Sequence, residues 1–152
     1  MRRKDRERDE SFALEVLRDC EYATLATVNA SGTPYCVPLS LALIDKTIYF
    51  HCATEGKKLE NIRNNSDVCV SCVRYTNLLP EQFTTEYESA IADGKCCIVS
   101  DDEEKLTALR VISEKYAKGS MDQFDAKIAE YIHRTCVCKI EITRITGKAN
   151  LI

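Results

Sequence analysis

The feature that most restricts the fold is a period of two that recurs along the chain, broken by turn chemistry. Residues 22–28 alternate and are rich in β-formers, Asn29-Ala30-Ser31-Gly32 supplies a turn, and residues 33–43 read as the returning strand. Asp45-Lys46 makes a second tight turn before a third run over 47–53. Strands joined by such short turns pair antiparallel, because a parallel crossover needs a dozen or more residues. Pro34 and Pro38 lack an N–H, so the run that holds them is expected at an edge or at an interruption of the ladder. Further strands are predicted over 68–75, over 84–99 as a pair meeting in a hairpin at Asp93-Gly94, and over 136–145. Residues 76–82, with Pro80, are expected to form a loop.

Between these runs the period changes. Phe12 and Val16, with Leu14 and Leu17, predict a helix over about 10–19, capped by Asp9 or Ser11. A short helix over 59–64 is predicted after Glu55-Gly56-Lys57-Lys58. Ser100-Asp101-Asp102-Glu103 reads as a capping box, opening a helix that carries Leu106, Leu109, Ile112 and Tyr116 and stops at Gly119. Phe124, Ile128 and Ile132 mark a second helix from about 122. The expectation is one domain over 1–152, mainly β, with a helical insertion at about 101–133 before a strand that closes a barrel or sandwich.

The net charge of −3 and pI near 5.5 give no electrostatic footprint for nucleic acid. No apolar run approaches the roughly 20 residues that span a bilayer. The charged stretch from Arg2 to Glu10 has no apolar core behind it, so a cytoplasmic rather than a secreted protein is expected. The chain has nine cysteines, an odd number that fits reduced thiols. Cys69 and Cys72 lie three apart in a predicted strand and face opposite ways, and Cys136 and Cys138 have no second close pair beside them. No metal site is expected; the thiols read as small core residues.

The chemically informative segment runs from Tyr49 to Lys58, where a strand feeds a glycine turn and then a helix that starts with two lysines. Helix N-termini attract anions, and cations there are unfavourable unless an anion sits between them. A phosphate monoester fits Lys57 and Lys58, although paired lysines at a helix start are also simply solvated. Neither a Gly-x-Gly-x-x-Gly nor a Walker loop is present, which disfavours dinucleotide and ATP folds.

The blocks Arg2-Arg-Lys-Asp-Arg6, Gly32-Thr-Pro-Tyr-Cys-Val-Pro-Leu39, Ile48-Tyr-Phe-His-Cys-Ala53, Gly56-Lys-Lys58 and Tyr87-Glu-Ser89, with the helix start at Asp101, occur in an order that resembles the 5-nitroimidazole-resistance branch of the pyridoxamine 5'-phosphate oxidase-like superfamily. The resemblance implies a six-stranded antiparallel split β-barrel that forms a homodimer, with FMN (FAD as a further option) between subunits. It implies that Cys36, Val37, Pro38 and Leu39 run along the flavin ring, with Phe50 and His51 next to it. Lys57 and Lys58 would then hold the phosphate, and Ser89 would lie near the ring. Tyr35 and Ser40 stand where the oxidases carry basic residues. The absence of Trp and the ending Gly147-Lys-Ala-Asn-Leu-Ile152 speak against a true pyridoxamine-phosphate oxidase.

The implied activity is FMN-dependent reduction of a small electron-poor acceptor such as a nitroimidazole. A non-catalytic flavin carrier or redox sensor, or a haem-binding barrel, are the alternatives. His51 is a candidate proton donor, but a strand histidine is more often structural, as is expected of His133. Cys52, beside the lysine turn, reads either as a reactive thiol or as core.

Overall fold

The structure, a computed structural model, describes residues 2–152. In chain order the elements are β1 (Glu7–Arg8), α1 (Glu10–Asp19), β2 (Ala23–Val28), β3 (Pro34–Leu39), β4 (Leu41–Ile44), β5 (Thr47–Ala53), α2 (Lys57–Asn64), β6 (Asp67–Leu79), β7 (Thr84–Ile98), α3 (Asp102–Tyr116), α4 (Phe124–Tyr131) and β8 (Thr135–Asn150). Every strand pair is antiparallel. The order across the sheet is β3-β2-β6-β7-β8-β5-β4, with β1 added to β8. The fold is a split β-barrel with peripheral helices, built on eight strands rather than six.

The two outer strands of that order, β3 and β4, are consecutive in the chain and separated only by Ser40. One residue therefore ties the two sheet edges together, and the sheet must curl round to allow it. The predicted strand over 33–43 is thus two strands on opposite rims.

Both rims are blunted. The register of β3 against β2 is continuous from Leu39 to Pro34. Pro34 and Pro38 therefore place their missing donors on the side away from β2, as an edge allows. On β4, Tyr116 of α3 accepts from the Leu41 N–H at 3.1 Å, and Tyr116 and Lys115 both donate to the Leu41 carbonyl at 3.0 Å.

Three other expectations are corrected. Residues 84–99 do not form a hairpin: β7 runs through Asp93-Gly94 with only a bulge there. Its partner β6 continues to Leu79, so the predicted loop shrinks to a turn at Pro80–Gln82 closed by Phe83 in the left-handed region. The cap of α3 is Asp101, which accepts from the Glu104 N–H, one residue beyond the box read from Ser100. In α1 the cap is Asp9, accepting from the Phe12 N–H.

Two apolar clusters hold the molecule. The first fills the barrel and includes Leu25, Ile48, Phe50, Val70 and Ile140, covered at one end by Ala13, Val16 and Leu17 of α1. The second lies outside the barrel, where Ala42, Tyr49 and Val137 meet Leu109, Ile112 and Phe124 of the helical insertion. Each fully buried Leu, Ile or Phe contributes roughly 1.5–3 kcal/mol. Strand alternation decides which cluster a residue joins, so β5 sends Ile48 and Phe50 inward and Tyr49 outward. Among the described residues no helix is long and apolar enough to cross a membrane.

Candidate functional site

The lysine turn is shaped by its backbone. Gly56, the N-cap of α2, takes φ 132° and ψ 164°, and no side chain caps the helix. The amides that open α2 are therefore left without a side-chain acceptor, the arrangement that suits an anion. Lys57 is exposed and Lys58 half-buried. The Lys57 ammonium sits over the ring of Tyr35 on β3, 4.7 Å from its centroid, a contact worth about 0.5–1 kcal/mol at an exposed site. This pairing brings the lysine turn against the rim strand. In the sequence Tyr35 stands out only as a departure from the oxidases; it and Lys57 lie far apart in the chain, and no local signal links them.

Along β3, Cys36 and Pro38 face solvent, whereas Val37 and Leu39 pack partly against the barrel core. The Phe50 side chain, at 0% exposure, belongs to the core, because β5 turns that face inward. Ser40, at the junction of the rims, is half-buried.

Ser89 lies elsewhere on the chain. Cys36, Ala26, Cys69 and Asp93 form one row across four strands, and Ser89 sits four residues further along β7. With strands about 4.8 Å apart and a rise of about 3.4 Å per residue, it is roughly 20 Å from Cys36 measured along the sheet. Its hydroxyl donates to the Lys148 carbonyl at 3.3 Å.

His51 leaves β5 on the face opposite Phe50. It is exposed towards a cavity of about 470 Å³ between the outer wall of β5 and the helical insertion. Leu109, Ile112, Phe124 and Ile128 make the cavity largely apolar, while Ser113, Lys127 and Tyr131 add polar groups. Protein surrounding the imidazole pushes its pKa below the ordinary 6.5 by desolvation, so it is neutral near pH 7. The insertion is held to the barrel by Glu104, whose carboxylate accepts from Tyr49 and from Lys139, each at 2.8 Å. Desolvation, and then Glu104, raises the Tyr49 hydroxyl to about 12. The cavity was not legible in the sequence, since it exists only where the insertion meets β5.

The structure therefore assembles two features: an exposed rim strip with a lysine turn, and an apolar cavity lined in part by a neutral imidazole. His133 lies outside both, exposed in the turn after α4.

A sequence model of the family described as pyridoxamine 5'-phosphate oxidase matches residues 9–149. Comparison with curated proteins gave no match. Among solved structures, the chain is similar to a protein assigned provisionally to 5-nitroimidazole antibiotic resistance in Bacteroides thetaiotaomicron VPI-5482. That pair is 26% identical over 93% of this chain and 84% of the other, with a TM-score of 0.76. A FAD-binding protein of Mesorhizobium loti shares 20% identity over 96% of this chain and 98% of its own, at TM-score 0.68. A FAD and haem binding protein of Mycobacterium smegmatis shares 17% over 93% and 71%, at TM-score 0.80. The last two likenesses concern the fold alone.

Proposed function

The chain belongs to the pyridoxamine 5'-phosphate oxidase family, and from that premise we propose that it is a flavin-dependent oxidoreductase reducing a small electron-poor acceptor such as a nitroaromatic. The observation that carries the reading is the lysine turn. Within the Gly56–Lys58 turn, Lys57 sits on Tyr35 of the rim strand, and that strand also carries the exposed Cys36 and Pro38. The turn suits a phosphate monoester, and hence FMN; FAD would place a diphosphate there. When bound, the flavin would supply the redox chemistry, and the protein its orientation and shielding.

The chain's own residues have three tasks in this reading. Lys57, Lys58 and the opening amides of α2 hold the phosphate. The solvent-facing Cys36 and Pro38 offer a flank for the ring, while Val37 and Leu39 anchor the same strand to the core. The cavity over His51 admits an apolar acceptor, and His51, once protonated, delivers a proton to it.

Two copies complete the site. Cys36 and Ser89 are too far apart for one flavin ring to touch both in a single chain, so their joint contact requires a partner. Exposed apolar side chains at this end of the sheet support this: Val73 and Leu78 on β6 and Phe83 at its turn, with Phe83 97% and Leu78 72% exposed.

The test is the absorption spectrum and extracted cofactor of the purified protein, with Lys57→Ala/Lys58→Ala beside it. Each charge-assisted contact is worth about 1.5–3 kcal/mol, so flavin affinity should fall by about one to two decades per lysine. Undiminished retention in the double variant overturns the phosphate assignment. Turnover of a nitroimidazole with NAD(P)H no faster than with free FMN would leave a carrier or sensor. A neutral imidazole in an apolar cavity also suits haem, and a Soret band would favour that second reading.

A further inference from the structure

Three of the cysteines meet in a way that their spacing does not announce. Cys52 on β5 and Cys136 on β8 are direct cross-strand partners, and Cys138 follows Cys136 by two residues. All three side chains therefore leave the sheet on its inner face. Their Sγ atoms lie within 4.8 Å of one another, and all three thiols are free. Cys138 is fully buried and Cys136 is 8% exposed. Cys52 is half-buried and gives the group its access from outside. Among the described residues no histidine or carboxylate joins them; His51, next along β5, faces the other way.

The donor set selects its guest by geometry and charge. Structural zinc takes four ligands, and only three sulfurs are mutually close here, Cys96 lying beside Cys138 alone. A monovalent or divalent ion on three thiolates would leave net negative charge in an apolar interior, which is expensive. A trivalent thiophile on three sulfurs is uncharged. We propose that Cys52, Cys136 and Cys138 form a three-sulfur site for a trivalent thiophilic centre of the arsenous-acid type.

The step is a condensation: As(OH)3 and three thiols give As(SR)3 and three waters. Three As–O and three S–H bonds break, while three As–S and three O–H bonds form. Arsenic remains in the +3 state, and no proton is released to solvent. The thiols' surroundings agree with that route: an ion that demands thiolates brings charge into an apolar interior, whereas arsenous acid enters neutral. The Cys20–Cys72 pair offers two sulfurs and cannot saturate the same centre.

This proposal is independent of the flavin reading. The full chain, fully reduced, is titrated with sodium arsenite while free thiols are counted and the intact mass is recorded under native conditions. The expected result is one adduct per chain, heavier by one arsenic less three hydrogens, with the loss of three thiols and no acidification of a weakly buffered solution. Cys52→Ala should weaken binding at least tenfold and leave at most a two-sulfur adduct that retains a hydroxyl, whereas Cys72→Ala should bind as the parent does. Cys52 is the least buried of the three, and a thermal melt confirms that its variant is folded. The proposal is overturned by any of three results: no adduct on the parent protein, undiminished affinity in Cys52→Ala, or loss of three thiols to Zn2+ with proton release while arsenite leaves them free.

Discussion

At Gly56 the backbone adopts a positive φ that an L side chain reaches only with strain, yet a Cβ built there meets nothing within 4 Å. The cost of Gly56→Ala is therefore conformational. Urea unfolding should show a loss of about 1–3 kcal/mol, and flavin retention should fall with it, because the strain tilts the lysines. An unaltered midpoint would mean that the turn relaxes freely. His51 provides a second residue-scale prediction. Its folded pKa lies below the ordinary 6.5 through desolvation, so the unfolded chain binds the proton more readily. The stability associated with the neutral imidazole is present above pH 6.5 and is lost as pH falls from there through the lowered folded value. His51→Gln should flatten that acid-side decline in a series of melting curves; an identical decline would assign it to other groups. The lysine turn was legible because its glycine and two cations are neighbours in the chain. The aromatic ring beneath Lys57 and the cavity facing His51 were not, since both depend on packing between distant segments.

Among the elements, β7 shows how one dipeptide can carry two meanings. Asp93-Gly94 reads as a hairpin turn, but the strand runs on and the glycine serves close approach. A Cβ at Gly94 would lie 2.5 Å from the Glu141 carbonyl oxygen and 2.7 Å from Ile140 Cγ2 of β8. Gly94→Ala must push β8 away at the bulge, and about 1–3 kcal/mol of destabilisation is expected, read as a lowered melting temperature. Wild-type stability in that variant would show that the bulge yields. The starts of the alternating runs and the helix caps were legible to within a residue or two because their signals are local, whereas β6 and β8 run on to Leu79 and Asn150, past their expected ends at 75 and 145. The pairing of β5 with β8 was not, since the helical insertion intervenes; the convergence of Cys52 with Cys136 and Cys138 was hidden with it. The burial of the Phe50 ring was hidden for a related reason: a family position names the strand, whereas the pleat decides which side of the strand faces the core.

For the whole molecule, the apolar surface formed by Leu78, Phe83 and their neighbours is the face expected to meet a second copy. Leu78→Asp with Phe83→Asp should convert a dimer to a monomer in light scattering, and flavin should be released in the same samples. A parent protein that is monomeric with flavin bound would refute the shared site. The insertion reinforces this division of labour, pinned by Glu104 to Tyr49 and Lys139 on one side of the barrel while the other side stays open.

The blunted rims of the sheet set a rule for how such a molecule associates. β3 lacks two donors along its free side, and β4 has its first backbone groups engaged by Tyr116 and Lys115, so neither margin is a vacant ladder for a stray strand from another chain. Association is steered to the broad faces, where side chains rather than backbone choose the partner. The folded protein is thereby guarded against end-on recruitment into fibrous aggregates, even at the place where its own sheet stays unzipped.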